Sequence, residues 1–285
     1  MDHISYDLPI ELIHYILYDP VINLNWKTVI KCYTTSKIFQ VLNKRELFIL
    51  ANINMGYLRC IKMGDLNALQ RSKINNKDNK EIAFITACKY GQLNIAKWLI
   101  NDYPNINIHV YNDKAFKRSC YNEHFEIVQW LIEYANSIGS PINIHKDNEE
   151  AFISSCLYGR LEIAQWLIEY ANSIRSPIDI HADNECAFMC NCENGNLEII
   201  KWLMEYSNII GSPINIHADN DEAFIHNCIE GRLEIVQLLI KYANSIGTPI
   251  DIHANNEEAL MWSCANGHIN IVQWLIKYGN SIGTP

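Results

Sequence analysis

Residues 146–181 read KDNEEAFISSCLYGRLEIAQWLIEYANSIRSPIDIH, and close variants of this string recur every 36 residues from residue 110 onward. Three columns fix the register. Cys120, Cys156, Cys192, Cys228 and Cys264 share one place; Trp130, Trp166, Trp202, Leu238 and Trp274 follow ten residues later; His109, His145, His181, His217 and His253 lie where one copy joins the next. A period of this size specifies a stacked array of like units, each packing only on its neighbours, and not one closed core.

Each unit carries its own helical grammar. Asp147 or Asn148 is placed to cap a first helix with Glu149 and Glu150 in its opening turn, running through Phe152 and Cys156 to Gly159, which suits a left-handed end. A second helix follows. Leu161, Ile163, Ala164, Trp166, Leu167 and Tyr170 form its apolar side, with Glu162, Gln165 and Glu169 opposite. After Ser176-Pro177, the alternation Ile178-Asp179-Ile180-His181 reads as a short extended arm.

Helix, tight turn, helix and arm in this order resemble the ankyrin repeat. The residues that carry the resemblance are GRLEIAQWLI at 159–168, similar to the family's Gly-His-x-x-Val-Val-x-Leu-Leu-Leu, and PIDIHADN at 177–184, similar to its Ala-Asp-Val-Asn-Ala approach. The family's Thr-Pro-Leu-His is replaced by Glu-Ala-Phe and a variable residue, so its usual first-helix hydrogen bonds are not expected here. The resemblance implies an all-α ankyrin-repeat solenoid over 56–285: a worn first copy at about 56–77 containing MGDLNALQ, then units at about 78–109, 110–145, 146–181, 182–217, 218–253 and 254–285. The Ile- and Asn-rich wording is similar to ankyrin proteins of large DNA viruses of amoebae.

Differences between copies carry further expectations. Cys88 and Cys120 are only 32 residues apart because NDYPNINIH lacks four residues of EYANSIGSPINIH, so later units are expected to have a second helix one turn longer. Gly139, Gly211, Gly247 and Gly283 close that helix, but Arg175 stands in one copy; Glu123 likewise replaces the glycine between helices. If either takes a positive backbone angle, it costs about 1 kcal/mol. Pro285 falls where another arm would begin, so the last unit is expected to lack a cap.

The first 55 residues are of another kind. DLPIELIHYIL opens like a helix, with Pro9 in the first turn and an apolar stripe of Leu12, Ile13, Ile16 and Leu17; two further short helical patterns reach Leu50. This forms a small bundle. Leu8 to Leu42 resembles the F-box through Leu8, Pro9, Glu11, Ile16 and Leu17 and the TSKIF of Thr35 to Phe39, although PVINLNWKT lacks the family's Leu-rich second helix. That resemblance implies docking of a Skp-type adaptor of cullin-RING ubiquitin ligases by Leu8, Pro9, Glu11, Ile16 and Leu17. The alternative is a helical cap over the apolar end of the array.

Composition narrows the function classes. Net charge is −9, and residues 81–285 hold 12 Lys/Arg against 25 Asp/Glu, a surface that repels nucleic acid. The longest apolar run, Leu47 to Ile53, is far short of a membrane span, and the opening MDHISYDLP carries acid where a secretory leader carries base. The expected place is the cytosol, that of a host cell if the chain is viral, or the nucleus; the expected state is a monomer. The ten cysteines are expected as free thiols, five of them in the repeated column.

No nucleophile elbow, phosphate loop, HExxH or paired CxxC is present, so neither catalysis nor a cofactor is expected. His181, Cys186, Cys190 and Cys192 come nearest to a metal set, but Cys192 belongs to the inward column. The histidine column reads as structural, with a pH-sensitive row as the other reading. The tryptophans stand where the ankyrin family has leucine and are expected in the core.

A target protein is therefore expected to bind where equivalent positions differ. After the Phe place these are Lys117-Arg118, Ile153-Ser154, Met189-Cys190, Ile225-His226 and Met261-Trp262; before the glycine place, Tyr121-Asn122, Leu157-Tyr158, Glu193-Asn194, Ile229-Glu230 and Ala265-Asn266. Lys117, Arg118, Tyr121, Ile153, Tyr158, Met189, Glu193, His226, Glu230, Met261 and Trp262 are the candidate contacts. Neutral variation of a solvated face is the other reading of the same differences.

Overall fold

The computed structural model describes residues 57–71, 74 and 77–284. The chain divides into two compact units, Met1–Asn75 and Asn76–Pro285. The expected bundle of residues 1–55 lies outside the described residues.

In the first unit, residues 57–63 (α1) and Leu66–Arg71 (α2) are helical, separated by Gly64 at φ 73°. Ile61 and Leu69 are fully buried, so the worn copy keeps a helix, a glycine turn and an apolar contact on each side of it.

The second unit repeats one helical hairpin. The first helices are α3 (Lys77–Lys89), α5 (Val110–Tyr121), α7 (Lys146–Leu157), α9 (Ala182–Asn194), α11 (Glu222–Ile229) and α13 (Ala254–Ala265). Their partners are α4 (Leu93–Asp102), α6 (Phe125–Ser137), α8 (Leu161–Ser173), α10 (Leu197–Ile209), α12 (Leu233–Ile246) and α14 (Ile269–Ile282). Each first helix packs on its own second helix and on the first helix of the next hairpin. There is no strand among the described residues.

The columns of the sequence become the core. Phe84, Phe116, Phe152, Phe188 and Phe224 are at most 2% exposed, and Cys88, Cys120, Cys156, Cys192 and Cys228 are fully buried beside them. Cys264, in the last copy, is exposed. Second helices bury one stripe each, as in Ile163, Ala164, Leu167 and Ile168. In α14 the counterpart of buried Ile240, Ile276, is 53% exposed.

The tryptophans correct the sequence expectation. Trp130, Trp166, Trp202 and Trp274 are half-buried, each stacked on the tyrosine one turn later with centroids 5.2–6.0 Å apart. Their edges reach other units, Trp130 to Phe84 and Trp166 to Phe125. A ring too large for the leucine place bridges the seam between hairpins and leaves one side wet.

Second-helix length follows the spacing. The helix α4 has 10 residues, α6, α8 and α10 have 13, and α12 and α14 have 14. The arm after α8 alternates as read, with Ile178 and Ile180 buried and Asp179 exposed.

The opening of the first helices departs from the capped start. Asp147, Asn148 and Glu149 all hold left-handed angles, φ 54–64°, and no side chain caps α7. The same triplet recurs as Tyr111-Asn112-Asp113, Asp183-Asn184-Glu185, Asp219-Asn220-Asp221 and Asn255-Asn256-Glu257, each one turn of the wrong hand before a right-handed helix. Asn always holds the middle place, and Asn and Asp tolerate this region better than other non-glycine residues.

Arg175 and Glu123 also take positive angles, φ 57° and 65°, where the other copies use glycine. Gly231 shows what that glycine does besides bending: a Cβ there would meet the His268 ring at 2.6 Å. Arg175→Gly is expected to raise stability by about 0.5–1 kcal/mol, the relief of a left-handed residue less the added freedom of the unfolded chain. Urea unfolding followed by circular dichroism measures it, and a lowered midpoint would contradict the strain. Glu123→Gly should gain less, because it gives up the ion pair of Glu123 with Arg160 at 2.7 Å.

Candidate functional site

Stacking first helices places residues about 36 apart side by side, and this assembles a cleft between α5 and α7. Seven of the variable residues, Lys117, Arg118, Tyr121, Ile153, Ser154, Leu157 and Tyr158, line an open cavity of about 530 Å3. Lys114 and Tyr111 from α5 and Glu150 from α7 complete its wall. The cleft has a polar and an aromatic part. Lys117 Nζ donates to Asp147 Oδ2 at 2.7 Å and also to Glu150. Partial burial presses its ammonium pKa down, but the two carboxylates outweigh that and hold it above the ordinary lysine value; Asp147 is correspondingly lowered by the lysine's hydrogen bond. Tyr121 and Tyr158 meet with ring centroids 3.9 Å apart, and the Arg118 guanidinium lies 5.7 Å from the Tyr121 ring.

The other variable residues form no single site with these. Met261 and Trp262 on α13 are 52% and 42% exposed, while Glu193 and Glu230 lie exposed at the ends of α9 and α11. His226 is half-buried. Met189 is a correction: it is only 6% exposed, its flexible thioether packed inward where Ile153 and Ile225 stay half-exposed, so it presents no surface. Leu8, Pro9, Glu11, Ile16 and Leu17 lie outside the described residues.

The histidine column acquires partners that single copies do not reveal. His145 Nδ1 donates to Glu149 Oε1 at 2.8 Å, and Ser176 Oγ from the next join donates to His145 Nε2 at 3.0 Å. His181 repeats this with Glu185 and Ser212 at 2.8 and 2.9 Å. His109 and His217 tie Asp113 and Asp221 to the segments at Ser140 and Thr248. The left-handed turn serves this contact, carrying the acid back onto the histidine four residues earlier. Asp113, Glu149 and Glu185 are 4–6% exposed. Asp113 also receives Lys146 Nζ at 3.0 Å, whereas Ala182 and Ala218 hold the lysine's place in the next copies. Glu149 Oε2 and Glu185 Oε2 are correspondingly buried without a hydrogen-bond partner.

A second polar tie joins hairpins at the other end of the first helices. His124 Nε2 donates to the Lys89 carbonyl and His268 Nε2 to that of Ile229, both at 2.8 Å; Arg160 and Arg232 reach the carbonyls of Tyr121 and Cys192 at 3.2 Å. Those of Lys89, Tyr121 and Ile229 are carbonyls that a helix end leaves free, while that of Cys192 also accepts the Gly195 N–H at 3.3 Å.

Cys186 and Cys190 approach to 3.6 Å between sulfurs. Cys192 points into the buried column and His181 is engaged by Glu185 and Ser212, so the four candidate ligands do not converge. Among the described residues no group of three or more metal-ligating side chains is present.

The family model described as "Ankyrin repeats (3 copies)" matches residues 48–144 and 208–285. The chain is an ankyrin-repeat protein. Such proteins are typically binding scaffolds without enzymatic activity, and this ankyrin array is accordingly a protein–protein interaction scaffold. No curated protein matches the sequence. Among the described residues of the ankyrin chain, no helix is long and apolar enough to cross a membrane.

Two measurements test this geometry. Both ring nitrogens of His253 face acceptors, Glu257 Oε1 at 2.7 Å and the Thr284 carbonyl at 2.9 Å, and these bonds raise its pKa above the ordinary 6.5. A raised folded pKa gives stabilisation that is complete below the unfolded value and lost as pH rises through the folded one. NMR titration of the His253 ring should give a midpoint above 6.5, moving back toward it in Glu257→Gln. For the thiols, burial pushes Cys88, Cys120, Cys156 and Cys192 up and Cys228 up to about 12. A thiol reagent should therefore modify exposed Cys264 in the native protein and reach these five only on unfolding, with Cys264→Ser removing a rapid phase.

Proposed function

We propose that this ankyrin protein is an adaptor that holds a target protein on the face of its first helices and couples it to a cullin-RING ubiquitin ligase. The target-binding half rests on one observation: seven residues at places that differ between copies come together in the cleft between α5 and α7, where tyrosines, an arginine and apolar side chains are jointly accessible. Tyr and Arg are the side chains in which binding energy concentrates at protein interfaces. Variable residues on α13, chiefly Met261 and Trp262, offer a second patch to the same target.

The ligase half rests on the sequence. Leu8, Pro9, Glu11, Ile16 and Leu17 would dock a Skp-type adaptor, with residues 1–55 as the recruiting segment and 56–285 as the seven-copy target-binding array. Ubiquitin transfer would then follow from proximity, with the chemistry supplied by the ligase. The setting is the cytosol of a host cell, in keeping with the viral wording of the repeats, or its nucleus, and the working form is a monomer. The other reading keeps the target and drops the ligase: the N-terminal helices cap the array and nothing more.

Co-purification decides between them. The full chain should capture a Skp-type adaptor, and Leu8→Ala with Pro9→Ala should abolish capture while leaving the helical circular dichroism intact. Failure of the unmodified chain to bind any Skp protein would remove the ligase half. Proximity labelling in the host cell would identify the target.

A further inference from the structure

Three of the twelve cations in residues 81–285, Lys114, Lys117 and Arg118, fall within five residues of one another and all line the cleft between α5 and α7. Comparison of copies shows that this is a reversal of sign. The places equivalent to Lys114 hold Glu150, Glu222 and Glu258 in three other copies, and none of the places equivalent to Lys117 or Arg118 holds Lys or Arg. One hairpin of an acidic array is thus basic on the face that another molecule can reach.

The three charges are not equivalent. Lys117 is neutralised within the protein by Asp147 and Glu150. Lys114 and Arg118 have no carboxylate within ion-pair distance among the described residues; they lie instead 5.6 Å from the Tyr111 ring and 5.7 Å from the Tyr121 ring. Both are half-buried, and Tyr111 and Tyr158 beside them are 56% and 42% exposed. The arrangement holds two cations without an ion-pair partner over an aromatic and apolar wall of Tyr121, Tyr158, Ile153 and Leu157, while Glu150 in the same lining is engaged by Lys117.

We propose that this cleft takes an acidic segment of a protein partner, carboxylates on Lys114 and Arg118 and a neighbouring aromatic or aliphatic side chain against Tyr121, Tyr158 and Ile153. The proposal rests on the reading of the array as a target-binding surface and adds the chemistry of the target. A guanidinium presents paired donors that a carboxylate accepts bidentately, and an aromatic wall partly excludes water from that contact. The acidic neighbours separate peptide from polyphosphate: a nucleic-acid strand would have to run on from this one basic hairpin over copies rich in carboxylate. The surrounding acidity sharpens selection, because a peptide that overruns the cleft with further acids is repelled by the flanking copies.

The test uses the full chain and a fluorescein-labelled peptide of Asp and Glu around a central Phe, read by anisotropy at low and moderate salt. Saturable binding that weakens with salt is expected. Lys114→Glu and Arg118→Glu should each weaken it about tenfold or more, as loss of a charge contact at an interface does. Lys241→Glu, an equal change of net charge at an exposed site on α12, should leave it unchanged. Arg118→Gln, which adds no repulsion, should also weaken binding. Replacing the central Phe by Ala should reduce affinity again. No binding by the unmodified chain, equal loss in Lys241→Glu, or tighter binding of a short thymidine strand would each overturn the proposal. A target that is captured equally well by Lys114→Glu and Arg118→Glu chains would leave the scaffold reading standing and remove this one.

Discussion

Each first helix has one apolar face that its own second helix covers and another that only a neighbouring hairpin can cover. The Phe84 to Phe224 column is where that need is met: five aromatic side chains on the first helices, each at most 2% exposed, with Phe84 and Phe152 reaching Trp130 and Trp202 of the following hairpins. At about 2–3 kcal/mol for a fully buried phenylalanine, this column is among the largest stabilising contributions in the array. Its geometry is also the source of the site. Once first helices must stack, residues about one period apart become neighbours, and Lys117 of one copy finds Asp147 and Glu150 of the next.

The polar ties at the joins answer a different need. They fix how one hairpin sits on the next, and they do so with buried acids, which are costly unless satisfied. The left-handed turns add roughly 1 kcal/mol or more per non-glycine residue. What offsets both is shared between copies: the acid takes its histidine, the histidine takes a hydroxyl or carbonyl of the next join, and backbone N–H groups of Asp179 and Asn215 donate to Glu149 and Glu185. A single hairpin would have the cost without the compensation. The array is therefore cooperative through its polar contacts as well as its apolar ones.

Period, hairpin and core columns were legible in the sequence because they depend on the 3.6-residue pattern within one copy. The lengthened second helices could be read from a four-residue insertion, and the awkward Arg175 and Glu123 from the glycines they replace. What depends on two copies at once was hidden. Asp-Asn-Glu reads as a helix cap until the next arm is seen to need the acid buried against His145. The tryptophans read as core because the leucine place is core, yet their size carries them to the seam. For the site, variable positions identified seven lining residues of the cleft and also Met189, which is buried. Lys114 was missed although its signal was present: a lysine where three other copies have glutamate.

The spacing of the ties has an evolutionary side. His145 to Ser176 and His181 to Ser212 span 31 residues in sequence, as do His109 to Ser140 and the later pairs. A crossover between two copies that duplicates or deletes one whole period brings equivalent donors and acceptors together again without any compensating change. Array length is then a nearly neutral character, free to grow by gene-level accident. Sign is not neutral in the same way. Copying the hairpin at 110–145 would copy its cations, but Lys117 of the first duplicate would then face the places of Tyr111 and Lys114 where Asp147 and Glu150 now neutralise it, so a basic track is far easier to lose than to lengthen.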